Sequence, residues 1–332
     1  MSKSTHTDAP LIFTHYGKNF YLPYTLYQAK QSNPKARCIL IGDDDNKELA
    51  IDCKWENVSM SKIVSQKCDH FNARFRWIQG KKHNPIKGGR DWLRYVFERF
   101  FAIEEFIKKE GLKDYWHFDS DTMILRELKS LEKRLREDNI DCTTLCNDMC
   151  PSGFIKTSFT ENYTNSIISS FEDKGFLKSQ QREFDNNTPE NAFTEMRAFL
   201  KYRENNRIKS VPLASAFQDL NIWFDNCICQ EDGFESTWGD KINRKIKDLY
   251  WDKGKIWANE MKENVPFEFA TVNCSWSSEL VFQWIDACQK GSPPTHKYLR
   301  HQLKFNKPEI IAHIIKKTTK KVSGIISQNA SD

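Results

Sequence analysis

Residues 118–121, Phe-Asp-Ser-Asp, are the stretch whose residue types and spacing most clearly indicate chemistry. Two carboxylates, Asp119 and Asp121, flank one small residue, and apolar stretches lie on both sides, at 115–118 and 122–125. Carboxylates in apolar surroundings are costly unless a cation is bound to them. The run therefore predicts a cation-binding site at the end of a buried strand.

The spacing of the two carboxylates suits a hard divalent ion. Mg²⁺ and Mn²⁺ prefer oxygen ligands, commonly take one or two carboxylates, and fill their remaining positions with water and substrate phosphates. We therefore expect Asp119 and Asp121 to bind Mn²⁺ or Mg²⁺ together with a nucleotide diphosphate. Such an ion acts as a Lewis acid and a template when the diphosphate leaves.

The strand that carries this run is predicted to belong to a parallel sheet. Residues 10–16 and 36–42 are short apolar runs typical of buried strands, and a helical pattern covers 21–31 between them. Two successive strand-helix units favour a parallel α/β sheet, in which ligands bind beyond the carboxyl ends of the strands. Apolar residues at three- and four-residue steps predict the next helix over 91–109, with Asp91 as its N-cap.

Further elements are predicted around the Asp-Ser-Asp run. Residues 126–138 are highly charged and predict a surface helix or loop. Residues 143–146 and 154–155 predict strands, and 190–203 has helical spacing. The loop composition and positive charge of 79–90 fit either a plain solvated loop or a mobile loop that faces phosphate.

Length and composition favour one large α/β domain. The chain has 332 residues and shows no internal repeat and no linker rich in Pro, Gly or Ser. Its 50 Lys and Arg against 45 Asp and Glu give a net charge of +5, which is too mild and too scattered to favour nucleic acid. The sequence has no apolar signal region at its start and no run of about 18 apolar residues, and we expect a cytoplasmic protein.

The C-terminal stretch 308–326 combines isoleucines with lysines in an amphipathic helical pattern. A basic helix of this kind can lie on an anionic membrane surface, which would suit a lipid-linked acceptor. The same pattern also describes a docking helix with a solvated charged face. The stretch therefore predicts either peripheral membrane contact or a packed helix.

With these elements the sequence resembles GT-A glycosyltransferases, in particular bacterial and viral polysaccharide-type families with a D-x-D motif. The shared order is an arginine-bearing helix, a short loop, an apolar strand and Asp-x-Asp. Here it is carried by Arg94, by 111–112 and by 116–121. In addition, 13–17 resembles the first nucleotide-contacting segment of the family, and 41–43 resembles the end of its second strand.

The resemblance covers about residues 10–225 and implies an α/β fold of the GT-A type, with a mainly parallel central sheet flanked by helices. The region 226–332 would form a lid, the acceptor side and a helical or irregular C-terminal extension of the same domain. The implied donor is a nucleotide sugar, with UDP the expected nucleotide. The implied acceptor is a hydroxyl group of a glycan or of a lipid-linked glycan.

The resemblance also implies roles for single residues. Asp119 would contact the ribose or the metal, and Asp121 would bind the metal. Thr14, Tyr16 and Asp43 would lie near the base and the ribose. As an alternative, Asp43 fits a helix N-cap or a turn residue.

Two further roles concern the donor and the acceptor. Arg94 would face the donor or brace the aspartates, although on a long helix it equally fits a surface ion pair. Asp219 is the expected general base, which takes the proton of the acceptor hydroxyl in an inverting transfer. The alternatives for the base are Asp225, Glu190 and Glu195.

The C-terminal side departs from the family pattern. Many GT-A enzymes supply a histidine there as a further metal ligand, and the comparable stretch 269–276 contains none. Asn273, His296 and His301 are the alternatives for this ligand.

Two other functions compete with glycosyl transfer. A sugar nucleotidyltransferase would also place Mg²⁺ on carboxylates beneath a parallel sheet, but 17–20 is poorer in glycine than the opening loop of such an enzyme. A non-catalytic carbohydrate-binding protein would use the aromatic residues, which make up 13 % of the chain. Simple binding, however, has no need of a pair that chelates a diphosphate-bound ion.

Overall fold

The computed structural model describes residues 8–63, 65–83, 89–239, 244–290 and 296–305. These residues form two compact units, and neither is contiguous in sequence. The first contains the residues up to Ser120 together with Arg126–Gln218, and the second contains Asp121–Leu125 together with the residues from Asp219 onward. The chain thus leaves the first unit inside the Asp-Ser-Asp run and contributes one short segment to the second unit before it returns.

Most strands are short. They are β1 (Leu11–His15), β2 (Cys38–Gly42), β3 (Glu56–Ser59), β4 (Asp114–Asp119), β5 (Thr122–Ile124), β6 (Cys142–Leu145), β7 (Cys150–Lys156), β8 (Ser210–Pro212), β9 (Ile222–Phe224), β10 (Ser236–Trp238), β11 (Lys245–Lys247), β12 (Tyr250–Asp252), β13 (Lys255–Asn259) and β14 (Pro266–Asn273). The helices are α1 (Leu22–Ser32), α2 (Lys47–Asp52), α3 (Gln66–Arg74), α4 (Arg90–Glu110), α5 (Lys129–Glu137), α6 (Thr157–Glu172), α7 (Lys174–Asn186), α8 (Glu195–Asn205), α9 (Glu279–Gln289) and α10 (Leu299–Phe305).

A seven-stranded mixed sheet in the order β3-β2-β1-β4-β7-β6-β8 forms the centre of the first unit. Strands β1 to β4 run parallel, as the strand-helix repeats predict. β7 runs antiparallel to both β4 and β6, and β6 pairs in parallel with β8. The expected mainly parallel sheet is therefore correct for the β1–β4 half, whereas the insertion of β7 makes the sheet as a whole mixed.

β1 and β2 are buried along their whole lengths, in agreement with their apolar sequences. A strand that is a continuous apolar run is typical of a parallel sheet covered by helices on both faces. The strands predicted over 10–16 and 36–42 are confirmed to within two residues at either end.

α4 is the longest helix in the described ranges and packs on this sheet. It ends at Gly111, whose φ of 65° lies in the left-handed region where glycine closes a helix without strain. The predicted N-cap, Asp91, is wrong by two positions. Gly89 takes the N-cap, and Asp91 lies in the first turn, where its charge is favourable to the exposed N–H groups of the helix.

Phenylalanine rings from three helices pack together in this unit. Phe71 of α3 stacks on Phe101 of α4 with centroids 5.0 Å apart, and it meets Phe171 of α6 edge-on at 5.1 Å. Phe97 of α4 also meets Phe171 edge-on, at 5.2 Å. Such contacts add to the free energy of apolar burial. These rings therefore belong to the core and not to a sugar-binding surface.

A five-stranded sheet forms the second unit. β12, β13, β14 and β5 pair in antiparallel order, and β9 pairs in parallel with β14. β10 and β11 form a separate antiparallel pair. The prediction of a helical or irregular extension after residue 226 is wrong for β10 to β14, which are strands. β10, β11 and β12 have three residues each, which is too short for a clear alternating pattern.

Within the described ranges, the helices are all too short or too polar to cross a bilayer. The basic stretch 308–326, predicted to contact a membrane surface or to pack as a helix, lies outside the described residues, and so does 84–88 of the predicted loop.

Substitution of Gly153 in β7 tests the packing around this strand. Gly153 has a φ of 91°, and a Cβ there would lie 2.4 Å from both Leu213 Cδ2 and Thr143 Oγ1. Gly153→Ala should therefore lower the free energy of unfolding by more than about 2 kcal/mol, because strain and overpacking add. Urea unfolding measures this loss. The matched control is Gly111→Ala, which also has a positive φ but meets nothing within 4 Å and should cost about 1 kcal/mol. Equal losses in the two variants would contradict the described packing.

Candidate functional site

The strand order of the first unit reverses at β1. From β1 the chain continues to β2 and β3 on one side, whereas β4 pairs with the other side of β1. In an open α/β sheet such a reversal leaves a crevice beyond the carboxyl ends of the two strands, where ligands bind. Thr14 of β1 is opposite Asp119 of β4 in the strand register. We call this end of β1 and β4 the switch-point edge, and it is the candidate site.

The alternation of side chains along β4 brings Asp119 to α4. Residues two apart in a strand point to the same face of the sheet. The Tyr115 hydroxyl lies 2.6 Å from Thr160 Oγ1 of α6, and the His117 ring meets the Phe100 ring of α4 edge-on at 6.1 Å. Asp119 continues this face and contacts Arg99 of α4, the residue before Phe100.

Arg99 of α4 binds Asp119. Its Nη1 lies 2.6 Å from Asp119 Oδ1, and its Nη2 lies 2.9 Å from Oε1 of Glu195, the first residue of α8. The side chains of Arg99 and Glu195 are 9 % and 8 % exposed, whereas Asp119 retains 38 %. A buried guanidinium is stable only where carboxylates compensate its charge. This Arg99 triad therefore has two buried members and one, Asp119, that stays accessible.

The triad sets the protonation of its own groups. Burial by itself would raise the pKa of Asp119, but the Arg99 guanidinium holds that pKa below its ordinary value. Burial raises the pKa of Glu195 to about 7, with Arg99 opposing the shift and Asp119 adding to it. Burial disfavours the charge of Arg99, yet the two carboxylates raise its pKa. Asp119 is therefore the ionised carboxylate that this triad presents at the switch-point edge.

His117 lies beneath Asp119 on the same strand and is neutral. It is 1 % exposed, and its Nδ1 lies 3.0 Å from the Ile12 carbonyl oxygen. Because a carbonyl oxygen only accepts, Nδ1 carries the hydrogen. Burial, with the Arg99 charge, lowers the pKa of His117 to about 4. The ring therefore adds no positive charge near Asp119 at neutral pH.

Residues at the end of β1 form the other side of the switch-point edge. His15 Nδ1 lies 2.8 Å from Oγ of Ser120, the residue between the two aspartates. Thr14 is 4 % exposed, and its hydroxyl is buried at this edge. The Tyr16 ring is 69 % exposed and packs against the Tyr95 ring with centroids 5.9 Å apart. Thr14 is thus buried at this edge, whereas Tyr16 exposes the face of its aromatic ring.

Asp43 connects the end of β2 to the turn after β1. Its carboxylate accepts hydrogen bonds from the Gly17 N–H and from Asn46 Nδ2, and the second bond is 2.7 Å long. Asn46 Nδ2 also lies 2.9 Å from the Gly17 carbonyl oxygen. This geometry fits the alternative of a turn residue, and a contact of Asp43 with base or ribose stays a prediction.

Arg94 lies outside the Arg99 triad. It is 40 % exposed and pairs with Asp91 at 3.6 Å and with Glu98 at 3.3 Å, both on its own helix. The arginine that braces an aspartate is Arg99, which the sequence reasoning missed, and a contact of Arg94 with the donor stays a prediction. The available signal was a basic residue inside the apolar stretch 96–101, shortly before the Asp-Ser-Asp strand.

Asp121 belongs to the second unit, where it precedes β5. Its Oδ2 accepts a hydrogen bond from Ser275 Oγ at 2.7 Å, and its backbone carbonyl accepts one from the Cys274 N–H at 3.1 Å. The register of β5 with β14 pairs Thr122 with Asn273, so the turn after β14 lies beside Asp121. The sequence reasoning did not assign Ser275 this contact.

The Asn273 side chain is already used in hydrogen bonds. Its Oδ1 accepts from the Ser275 N–H at 3.0 Å, and its Nδ2 donates to the Asn226 carbonyl at 3.0 Å. The rings of His296 and His301 meet edge-on at 6.5 Å in the same unit. Across the described ranges, no group of three or more His, Cys, Asp or Glu side chains is placed to hold a metal ion.

The alternatives for the general base differ in their surroundings. Asp219 is exposed, in a short turn of 3-10 helix before β9, and Glu190 is exposed in the first unit. Asp225 is fully buried with its Oδ1 2.8 Å from Lys247 Nζ, and Glu195 is buried behind Arg99. A base must exchange its proton with substrate, which favours the two exposed residues over the two ion-paired ones.

The chain matches no protein-family model and no curated protein. Among solved structures it is similar to the apo form of mouse xyloside xylosyltransferase 1, with a TM-score of 0.43 and 9 % sequence identity. The match covers 64 % of this chain and 92 % of that chain. Similarity at this level assigns no activity to the present chain.

Replacement of Arg99 tests the triad. Arg99→Met leaves Asp119 and Glu195 close together with no cation between them and should lower the free energy of unfolding by about 3–5 kcal/mol. Arg94→Met is the matched control on the same helix, and the loss of its exposed pairs should cost less than about 1 kcal/mol. Urea unfolding compares the two variants. Similar losses would show that the triad does not stabilise the fold.

Glu195 should make stability depend on pH. Burial raises its pKa from 4.5 to about 7, so between these values the folded protein binds more protons than the unfolded chain. The contribution of Glu195 is therefore fully present below about pH 4.5 and is lost as pH rises through about 7. Glu195→Gln cannot ionise and should lack this component. Urea unfolding across this range should show wild type losing stability relative to the variant as pH rises, and a constant difference would contradict the assignment.

Proposed function

We propose that this chain is a metal-dependent glycosyltransferase that moves a sugar from a nucleotide-diphosphate donor, with UDP the expected nucleotide, to a hydroxyl of a glycan or lipid-linked glycan. The observation that carries the proposal is Asp119, an ionised and accessible carboxylate at the switch-point edge opposite Thr14. A carboxylate at the ligand-binding edge of an α/β sheet suits a ligand that arrives with a cation. The resemblance of the sequence to GT-A glycosyltransferases supports the same assignment.

The nucleotide would bind along the end of β1. The exposed Tyr16 ring is suited to stack on a base, because every base offers a flat face to an aromatic ring. Thr14 would form the wall beneath the ribose. Asp43 fixes the backbone of Gly17, the residue after Tyr16, and so orients the exposed ring. In this proposal Asp43 is a positioning residue.

Asp119 and Asp121 would hold Mn²⁺ or Mg²⁺. One residue separates them in the chain, and each has a partner that fixes it, Arg99 for Asp119 and Ser275 for Asp121. Two carboxylates match the number that these ions take when phosphate oxygens and water complete the coordination. When bound, the ion would stabilise the negative charge of the leaving diphosphate.

The acceptor would be activated by an exposed carboxylate. Asp219 fits this role in an inverting transfer, since its surroundings allow contact with substrate, whereas Asp225 is held by Lys247. A glycan hydroxyl needs such a base because its proton must leave as the oxygen attacks the sugar carbon. If the basic stretch 308–326 contacts a membrane surface, it would bring the chain to lipid-linked acceptors.

UDP binding tests the donor site. In calorimetry with Mn²⁺, UDP should bind, and EDTA should abolish the binding. Asp121→Ala should weaken it by at least about tenfold, because the metal loses a ligand. The matched control is Asp45→Ala, which removes an exposed carboxylate of the first unit after β2 and should bind UDP as wild type does.

Three results would count against the proposal. Binding that persists in EDTA would remove the role of the metal, and equal weakening in the Asp121 and Asp45 variants would remove the specific role of the pair. The absence of any UDP binding, together with binding of free glycans, would favour a carbohydrate-binding protein.

A further inference from the structure

Two cysteines of the second unit, Cys227 and Cys229, lie in one turn shortly after β9. A hydrogen bond of 2.9 Å from the Gln230 N–H to the Cys227 carbonyl closes this turn. Both thiols approach the same acceptor, the Ser275 carbonyl oxygen, at 3.7 Å from Cys227 Sγ and 3.5 Å from Cys229 Sγ. The chain bend therefore brings two reduced sulfur atoms to one acceptor.

The two thiols have unequal reactivity. Cys227 is 9 % exposed, whereas Cys229 is half-buried and therefore more accessible. The neighbouring Cys227 thiol and the nearby Arg244 guanidinium lower the pKa of Cys229 to about 7, although burial and the Asp225 charge act in the opposite direction. A thiolate is the reactive form of cysteine. We therefore expect the Cys229 thiol to react first. The Cys227 thiol would then react with the oxidised sulfur of Cys229.

We propose that Cys227 and Cys229 form a dithiol that hydrogen peroxide oxidises to an intramolecular disulfide. The Cys229 thiolate attacks one peroxide oxygen, so that an S–O bond forms, the O–O bond breaks, and the departing oxygen leaves as water after it takes a proton. Cys227 Sγ then attacks the sulfur of this sulfenic acid, the S–S bond forms, and a second water leaves. Two thiols and one hydrogen peroxide thus give one disulfide and two waters.

Oxidation would affect the turn after β14, in which Ser275 hydrogen-bonds to Asp121. A disulfide has no S–H group, so neither sulfur can donate to the Ser275 carbonyl after oxidation. The same residue donates its hydroxyl to Asp121 Oδ2 at 2.7 Å and its N–H to Asn273. We therefore expect the turn after β14 to open more readily in the oxidised protein. This inference does not require that the chain transfers sugars.

Peptide mass spectrometry tests the chemistry. Trypsin releases residues 210–241 as one peptide, in which Cys227 and Cys229 are the only cysteines. After treatment with one equivalent of hydrogen peroxide and then iodoacetamide, this peptide should be unalkylated and about 2 Da lighter than the reduced form. Cys229 should react with iodoacetamide about tenfold faster than the half-buried Cys53, whose pKa burial raises.

Variants separate the two roles. Cys227→Ser should stop at a sulfenic acid on residue 229 that dimedone traps, whereas Cys229→Ser should leave residue 227 unmodified. Cys53→Ser is the control and should form the disulfide at the wild-type rate. If the 210–241 peptide is alkylated on both cysteines after peroxide, or if Cys53 reacts as fast as Cys229, the proposal is wrong.

Hydrogen exchange tests the consequence for Asp121 without an activity assay. Peroxide should increase amide exchange in a peptide that covers 272–278 by about threefold or more, and the Cys229→Ser variant should show no increase. A disulfide that forms without any change in exchange would overturn the link to the turn after β14.

Discussion

One buried guanidinium, that of Arg99, determines how the carboxyl ends of β1 and β4 present charge. Taking this cation out of water is costly, and the cost is offset only because Asp119 and Glu195 lie within hydrogen-bond distance of it. The three residues come from α4, β4 and α8, so the position of the accessible carboxylate depends on how two helices pack on one strand. The Tyr163 hydroxyl, which donates to the Glu195 carbonyl at 2.7 Å, fixes the start of α8 in the same way. The contacts that position Asp119 therefore extend into the buried core beneath it.

The second unit also contains a buried cation that is compensated by carboxylates, and here the cation is a lysine. Lys247 is fully buried, and its Nζ lies 2.8 Å from Asp225 Oδ1, 2.9 Å from Asp232 Oδ2 and 2.8 Å from the Cys227 carbonyl oxygen. These contacts fix the turn whose thiols approach Ser275, the partner of Asp121. In each unit, then, a buried cation stabilises the structure behind one aspartate of the Asp-Ser-Asp run. Removing either cation would leave carboxylates buried without compensation, which is more costly than losing a surface ion pair.

The sequence predicted those elements whose residue pattern clearly favours one type of structure. The apolar runs of β1 and β2 are typical of buried strands, and the periodicity of α4 predicts its range to within one residue at each end, although not its N-cap. In the sheet of the second unit, β5, β9 and β12 have three residues each, too few positions for a pattern. The Arg99 triad escaped prediction for another reason: Glu195 is 96 positions from Arg99, and only the fold brings them together. Arg94 shares the helix and the charge of Arg99, and in the sequence only the apolar neighbours of Arg99 distinguish the two.

The discontinuous second unit has a consequence for synthesis on the ribosome. β5 leaves the ribosome early, but its partner β14 follows about 150 residues later, since Thr122 pairs with Asn273. At bacterial or eukaryotic elongation rates the strand stays without this neighbour for roughly 8–30 s. An apolar strand with free backbone donors is prone to pair with other nascent chains, and adjacent charges are the common protection. Asp119 and Asp121 stand immediately before β5, so the carboxylates proposed to bind a metal would also keep the nascent chain soluble.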